Sequence, residues 1–527
     1  MARVLVSDKL ADAGLELLKE QTDIEVDIAT GLSEDELCAR IADYDGLLIR
    51  SGTTVTPRVL EAATRLKVIG RAGIGVDNID VPAATERGII VMNTPDANAT
   101  TTAELALAHM MSLSRHLPQA DRSVRAGLWE RPRFMGSELA HKTLAILGFG
   151  TIGRIVAQRA LGLKMRVIAY DPFVTPDVFG ELGVEPCDLD TLVGQADYLT
   201  LHCPMNEHTR GIIDAGRIAA MQPGARLINC ARGGLVDEQA LFDALKAGHL
   251  AGAALDVYAQ EPPKDSPLLE LDSVVFTPHL GASTSEAQVA VSVEIARQAV
   301  TFLRTGEAIN ALNLPRVAPE ELRRLRPYQD LAHTLGKLLA RLVDGPLEQV
   351  EVALYGRAAE VDPHPVAVEA LVGLLDEELS IPVNRVNVTA LAKRQGIALT
   401  ESRSEDAQDY LSLISITGRY GENCTRISGT LLGEKHPRIV SIDDYEIEAV
   451  PEGTLLITCH RNQPGVVAAL GKVIGDARIN ISRMQIGIAA DQPDAIAIIG
   501  ISRPLDEQAL EQLHAIEPLH SAIQIEL

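Results

Sequence analysis

Three polar residues stand just past short apolar runs: Arg232 in NCARGGLVDE, Glu261 in DVYAQEPP and His279 in VFTPHLGAST. A guanidinium presents paired N–H donors that match a carboxylate and can polarise a carbonyl beside it. An imidazole titrates near neutrality, and a neighbouring carboxylate fixes its tautomer and favours its charged form. Arg232, Glu261 and His279 therefore make a candidate acid–base site for a substrate carrying a carboxylate next to the reacting oxygen. Taken singly, each has a plainer explanation. Glu261 before two prolines fits a solvated turn, Arg232 a surface ion pair, and His279 a polar loop filler. Pro278 restricts the backbone before the imidazole and Gly281 permits a sharp change of direction after it. Ser283 and Glu286 have capping-box spacing, which predicts that this turn runs directly into a helix from about 283 to 305.

A second constellation lies upstream. The stretch LAILGFGTIGRIVAQRALGLKMRVIAYDP places Gly148, Gly150 and Gly153 in G-x-G-x-x-G spacing. A strand-like run precedes it, a helix-compatible run follows, and Asp171 ends the next strand-like run about twenty residues on. Gly148 permits the tight turn, Gly150 lets the backbone approach a pyrophosphate, and Gly153 lets helix and strand pack closely. Asp171 would accept hydrogen bonds from ribose hydroxyls, and its charge would repel a 2′-phosphate, so NAD is expected rather than NADP. The alternative is a glycine-rich turn that packs well and binds nothing. Gly73 and Gly75 in GRAGIGVDN lack a third glycine and are not read as a second cofactor loop.

The elements that must position these residues alternate between strand-like and helical patterns. RVLVSD, IEVDIA, GLLIRS, LKVIGRAG and IIVMNT form a first strand series. TLAILGFG, RVIAYD, DYLTLHCP, RLINCA, GAALDV and SVVFTPH form a second. Such alternation implies α/β architecture with parallel strands and right-handed crossovers. Two doubly wound, Rossmann-like domains are expected, the nucleotide-binding one (99–287) inserted in the other (1–98 plus 288–316). Ligands of such sheets sit beyond the carboxyl ends of strands, where Arg232, Glu261 and His279 should all fall. Residues 317–450 read as α+β, and 453–527 as a ferredoxin-like βαββαβ unit, with PEG at 451–453 as the linker.

Composition narrows the partners. The chain of 527 residues carries 48 Lys and Arg against 72 Asp and Glu, a net charge of −24. That balance argues against nucleic acid and against an anionic membrane surface, but not against an anionic substrate in a local basic pocket. The six cysteines have no C-x-x-C pair, so neither a disulfide framework nor a metal site is expected. MARVLVSDKL enters a strand-like run with no signal-peptide pattern, and the expected compartment is the cytoplasm.

GFGTIGR, NCARGGLVDE, ALDVYAQEPP and TPHLGAST, in that order, resemble the D-2-hydroxyacid dehydrogenase family over residues 1 to about 315. The resemblance implies that Arg232, Glu261 and His279 are catalytic. It implies that NAD also meets Thr151, Ile152, Cys203, Asp256, the segment Cys230, Ala231 and Arg232, and the segment His279, Leu280, Gly281 and Ala282. The C-terminal part is similar to the long, four-domain branch of that family, with an intervening α+β domain and an ACT domain. That branch oxidises 3-phosphoglycerate at the start of L-serine biosynthesis. Arg50, Ser51 and Arg71, with Arg131 and Arg133 supplied across a dimer interface, are then expected at the substrate. Solvated strand ends are the alternative for these cations. HRNQPG and RINIS place His460, Asn462 and Asn480 where relatives hold the effector L-serine; ordinary polar caps are the alternative. A homodimer or homotetramer is expected, and a side reduction of 2-oxoglutarate is possible.

Two departures from the family pattern stand out. DANATTTAEL near Asn98 replaces the usual sequence, and Ile74 stands where many relatives carry threonine. The competing functions are a glyoxylate or hydroxypyruvate reductase and a non-enzymatic NAD-sensing protein. GEKHPR, with Lys435, His436 and Arg438, is either an anion site or a hairpin turn, and the turn is the commoner explanation.

Overall fold

The structure is a computed structural model that describes the chain except residues 315–318, 377, 378, 380, 381, 408, 490 and 491. The expected domain boundary at 316/317 lies outside the described residues. The chain packs into two compact units: Met1–Thr54, Val68–Ile79 and Met92–Asn310 form one, and Val55–Lys67, Asp80–Val91 and Ala311–Leu527 the other.

The first strand series forms β1 (Ala2–Val6), β2 (Ile24–Ile28), β3 (Gly46–Ile49), β4 (Val68–Arg71) and β5 (Ile90–Asn93), in sheet order β2-β1-β3-β4-β5. β1 pairs parallel with β2 and β3, and β3 pairs parallel with β4. Ser33 caps the helix Glu34–Arg40 in a full capping box with Glu36, as its spacing predicts.

The second series forms β6 (Thr143–Leu147), β7 (Arg166–Tyr170), β8 (Glu185–Pro186), β9 (Tyr198–Leu201), β10 (Arg226–Asn229), β11 (Gly252–Leu255) and β12 (Val274–Phe276). Its order, β12-β11-β10-β9-β6-β7-β8, reverses direction at β6, and every pair is parallel. The strands are covered on both faces, which is why they read as continuous apolar runs. Along β6, Leu144 and Ile146 pack into one layer while Ala145 and Leu147 pack into the other. The helix Ala99–Arg115 covers the first of these layers through Ala103, Ala106, Met110 and Leu113.

The chain then returns to the first sheet. The helix Ser285–Thr305 packs on β4 and on the helix Asp12–Lys19, where Ser292 Oγ accepts the Ala11 N–H at 3.0 Å. Its cap differs from the expectation. Thr284, not Ser283, accepts the Ala287 N–H, so the helix starts one residue later than a Ser283 cap implies and Glu286 lies in its first turn.

The other unit carries β13 (Gln349–Gly356), β14 (Ala398–Ser404), β15 (Ser412–Tyr420), β16 (Asn423–Leu432), β17 (His436–Ile442) and β18 (Tyr445–Ala449). These are followed by β19 (Thr454–Arg461), β20 (Ile481–Ile488), β21 (Asp494–Ile501) and β22 (Leu519–Glu526). The last four strands lie in the order β20-β21-β19-β22, with helices Val466–Asp476 and Glu507–His514 between them in sequence. That is the ferredoxin-like arrangement. The PEG segment lies between strands as expected, but it does not separate two sheets. β18 pairs with β20, Glu446 opposite Ile488, so all ten strands form one sheet. In GEKHPR, Gly433–Lys435 form the turn of the β16–β17 hairpin, and His436, Pro437 and Arg438 open β17.

Candidate active site

Five neighbouring parallel strands, β12, β11, β10, β9 and β6, end on the same edge, and each delivers one piece of the site. After β6, Gly148 adopts φ +95°, and a Cβ there would lie 2.7 Å from the Cys203 backbone nitrogen past β9. A Cβ on Gly153 would lie 2.2 Å from the Gly148 carbonyl oxygen, so the motif's first and third glycines are sterically required. Gly150 caps the helix Thr151–Gly162, and nothing lies within 4 Å of where its Cβ would be. Asp171, just past β7, accepts the Phe149 N–H at 2.8 Å and the Phe173 N–H at 2.9 Å. These two bonds aim an acceptor at the mouth of the glycine turn. The tight turn, the open helix end and the placed carboxylate fit a dinucleotide. Thr151 and Ile152 open that helix, and Thr151 Oγ1 donates to Asp96 Oδ1 at 3.1 Å. Burial pushes the Cys203 thiol up to about 11 and the Cys230 thiol higher still, so both are neutral apolar walls here.

The loop after β12 is built around its histidine. His279 itself takes the left-handed conformation, φ +54°, whereas Gly281 does not. The turn therefore bends at the imidazole rather than at the glycine that was expected to permit it. Such a backbone needs external support. Asp256, fully buried at the end of β11, supplies it. Its Oδ1 accepts the Leu280 N–H at 2.7 Å and the Thr277 hydroxyl at 2.5 Å, and its Oδ2 accepts the Gly281 N–H at 2.8 Å. The structure thus places Asp256 beneath the loop, where it shapes the expected cofactor segment Leu280–Ala282.

Glu261 Oε2 lies 2.8 Å from His279 Nδ1, and its Oε1 accepts the Tyr258 N–H at 3.2 Å. The hydrogen bond to Glu261 raises the His279 pKa above its ordinary value. Burial works against this, and the charges of Glu261 and Asp256 add to it. Burial opposes charge on Glu261, but the His279 hydrogen bond and charge, the Tyr258 N–H and nearby Arg232 outweigh it and hold the carboxyl below its usual range. Nε2 of His279 is left as the group that can exchange a proton.

Arg232, just past β10, is aimed by three contacts. Its Nε donates to Asp77 Oδ2 at 2.7 Å, its Nη1 donates to the Ala231 carbonyl at 2.7 Å, and Asn229 Nδ2 donates to its carbonyl at 2.8 Å. Arg71 ends β4, and Arg50 follows β3 with its N–H held by Asp8 Oδ2 at 2.6 Å. Burial holds the Arg71 pKa down to about 10, Arg232 and Arg50 press it in the same direction, and Asp77 and Asp8 oppose them. The Nε atoms of Arg50 and Arg71 are buried without a partner. Three guanidinium groups within electrostatic reach of one another describe a receptor for a small molecule with more than one negative charge. A Cβ on Gly75 would lie 1.5 Å from Arg232 Nη2, and one on Gly73 1.9 Å from Arg71 Nη1. The glycine pair of GRAGIGVDN therefore makes room for two arginines.

Within the same unit, Arg131 and Arg133 lie apart from this cluster. Ser51 is exposed beside Arg50. Arg131 lies over the exposed Trp129 ring, and Arg133 pairs with Glu130 at 3.2 Å and Asp272 at 3.7 Å. Asp272 precedes β12, so this segment is at the amino-terminal edge of the sheet, opposite His279. In the last four strands, His460 is buried at the end of β19 with Nε2 unpartnered. The Asn462 N–H donates to the Pro493 carbonyl. Asn480 bonds Ser502 at the far end of β21, since Arg461 pairs with Asp494 but Thr454 with Ile501. Seven residues of strand, roughly 20 Å, separate the two groups within one chain. Asn98, flagged by the unusual sequence around it, is buried before the helix Ala99–Arg115 with its Oδ1 unpartnered, and Ile74 contributes its carbonyl to Asn93 Nδ2.

Reading the sequence missed Asp77, His109, Thr102 and Thr277. Asp77 follows Gly75 closely enough to have been suspected. The others are ordinary helix or loop residues with no local signal.

Comparisons with known proteins agree with this geometry. Residues 107–281 match the NAD-binding domain of the D-isomer specific 2-hydroxyacid dehydrogenases, 324–443 the D-3-phosphoglycerate dehydrogenase intervening domain, and 453–518 the ACT domain. The chain is 42% identical to the D-3-phosphoglycerate dehydrogenase of Synechocystis, covering all of this chain and 95% of that one. It is 41% identical to the enzyme of that name from Methanocaldococcus jannaschii over the whole of both chains. Among solved structures, a glyoxylate reductase from Paecilomyes thermophila matches 59% of this chain and 98% of its own at 30% identity and a TM-score of 0.56. The TT0316 protein from Thermus thermophilus matches 59% of this chain and 99% of its own at 35% identity and a TM-score of 0.55.

Two outcomes are expected from this geometry. Gly75→Ala drives a methyl group into Arg232, so it should remove the aim of that guanidinium while dinucleotide binding, measured by fluorescence titration, stays within about twofold; weakened dinucleotide binding would contradict the assignment. Glu261→Gln should lower the pH at which the His279 ring titrates, read from its NMR resonances. In the native pair, His279 stabilises fully below its ordinary 6.5 and loses that contribution as pH rises through its raised value. Glu261 stabilises above its ordinary 4.5 and loses that as pH falls through its lowered value. The pair's contribution is thus greatest between these limits, and the variant's stability deficit should shrink on either side.

Proposed function

The chain belongs to the D-3-phosphoglycerate dehydrogenase family, and from that premise we propose that Arg232, Glu261 and His279 carry the NAD-dependent oxidation of 3-phospho-D-glycerate to 3-phosphohydroxypyruvate, the entry to L-serine biosynthesis. The observation that carries the assignment of roles is the Glu261–His279–Arg232 arrangement at the carboxyl edge of the dinucleotide sheet, beside Arg71 and Arg50. Bound NAD supplies the hydride acceptor. Neutral His279 takes the proton of the C2 hydroxyl at Nε2 while Nδ1 keeps its bond to Glu261. Arg232 pairs with the substrate carboxylate and stabilises the negative charge that grows on the C2 oxygen. In the reverse direction the imidazolium returns that proton, and Glu261 favours the charged form it needs. Arg71 and Arg50 bind the phosphate, whose oxygens satisfy their buried Nε donors. Arg131 and Arg133 contribute only from a second subunit.

The two-sheet portion is shared with a glyoxylate reductase, but the phosphoglycerate dehydrogenases match the whole chain, including the segments that a simple reductase does not need. The division into substrate (1–98 and 288–316), NAD-binding (99–287), intervening (317–450) and ACT (453–527) domains is part of this reading. So is a homodimer or homotetramer. Leu117, Val124, Leu128, Trp129 and Met135 are exposed around the Arg131 segment, an apolar surface that fits a second copy. L-serine is the proposed effector at the ACT domain. Because Asn480 lies at the opposite end of the sheet from His460 and Asn462, a site using all three draws on two chains. A cytoplasmic location accords with the anionic composition, and among the described residues no helix is long and apolar enough to cross a membrane.

The test is NADH formation from 3-phosphoglycerate, with and without L-serine. His279→Ala should lose turnover by at least about a thousandfold while NAD still binds; turnover close to that of the parent chain would remove His279 as proton carrier. Arg71→Ala should raise KM for 3-phosphoglycerate about a hundredfold with little change in kcat, and an unchanged KM would remove it from the phosphate site. L-serine should slow the intact protein and leave His460→Ala unaffected. Equal inhibition of both would remove His460 from the effector site.

A further inference from the structure

The helix Ala99–Arg115 has an apolar face against the dinucleotide sheet, yet two polar residues interrupt that face. Thr102 and His109 are both buried, and they lie seven residues apart, two helical turns, on one side of the helix. Both reach the loop that carries His279. Thr102 Oγ1 donates to the Gly281 carbonyl at 2.9 Å, and His109 Nε2 lies 3.0 Å from Thr277 Oγ1. The Thr277 hydroxyl donates its proton to Asp256 Oδ1, so its oxygen is free to accept, and His109 must carry its proton on Nε2. Burial lowers the pKa of His109, which keeps it a neutral donor at neutral pH.

We propose that His109, acting through Thr277 and Asp256, is a positioning residue that holds the left-handed His279 turn in its reactive orientation. The chain of donors runs from His109 Nε2–H to Thr277 Oγ1–H to Asp256 Oδ1, and Asp256 in turn binds the Leu280 and Gly281 N–H groups on the far side of the imidazole. Three of the turn's polar groups, those of Thr277, Leu280 and Gly281, are thus tied to one buried carboxylate, and the helix braces that carboxylate from outside. Hydrogen bonds among buried groups are strengthened by their neighbours and are costly to leave unmade. A residue far from the substrate therefore sets where the imidazole points.

This inference rests on His279 being the proton carrier. The charged groups facing His279 are Glu261 at Nδ1, Asp256 beneath the turn, and Arg232 with its partner Asp77 across the cleft. Only Asp256 is touched by the His109 chain.

The experiment compares His109→Leu, His109→Gln, Thr277→Val and Thr277→Ser in the full-length protein. It measures kcat and KM, the pH profile of 3-phosphoglycerate oxidation, NAD affinity and melting temperature. His109→Leu and Thr277→Val should lower kcat roughly three- to tenfold, with KM and NAD affinity close to the parent values. The acidic limb of the profile should move to lower pH as the Asp256 charge loses its fixed place beside the imidazolium. His109→Gln restores an N–H near the position of Nε2, and Thr277→Ser restores the hydroxyl, so both should recover most of the rate and the parent profile. A fall in melting temperature with kcat and the pH profile unchanged would overturn the proposal, because His109 would then only fill the core. Failure of Gln and Ser to rescue where Leu and Val impair would overturn it as well. Near-parent turnover in His279→Ala would instead mark failure of the catalytic assignment itself.

Discussion

A carboxylate taken out of water must be surrounded by donors, and Asp256 is the case on which this site depends. It is fully buried at the end of β11, and the loop after β12 is folded around it. Desolvating an anion is costly unless several hydrogen bonds compensate. The Leu280 and Gly281 N–H groups and the Thr277 hydroxyl provide that compensation only when the loop takes one conformation. That conformation obliges His279 to adopt a positive φ. A buried carboxylate therefore fixes a polar segment in one conformation, and the imidazole proposed as proton carrier occupies the strained position.

The cationic side of the cleft has the opposite tension. Arg71, Arg232 and Arg50 repel one another, and burial weakens the proton affinity of Arg71. The repulsion is tolerable because Asp77 and Asp8 lie among them and because Gly73 and Gly75 allow close approach. In the proposed assignment, a substrate with a carboxylate at one end and a phosphate at the other would relieve the remaining excess of positive charge. A local cationic cluster of this kind stands out against the −24 background of the chain.

In the second unit, the ten-stranded sheet joins what look like two modules. Glu446 of β18 pairs with Ile488 of β20, and Tyr445 donates to Gln492 Oε1 at 2.6 Å near the β20–β21 connection. That pairing joins β18 to the last four strands within one sheet.

Much of this was legible from residue order alone. Alternating apolar runs specify strands, and the G-x-G-x-x-G spacing with Asp171 specifies a dinucleotide turn, because both are local: neighbours in sequence determine the periodicity and the φ angles required. Arg232, Glu261 and His279 could be suspected for the same reason, each standing directly after a strand. What local signals could not show is which distant groups meet. The sequence separations of 18 from Glu261 to His279, 155 from Asp77 to Arg232 and 168 from His109 to Thr277 are bridged only by the sheet order and the helix that covers it. The tertiary structure also decided that the turn bends at His279 rather than Gly281, and that two sheets fuse across a linker. In each case the deciding term was hydrogen bonding between groups far apart in the chain, which leaves no periodic trace in a sequence.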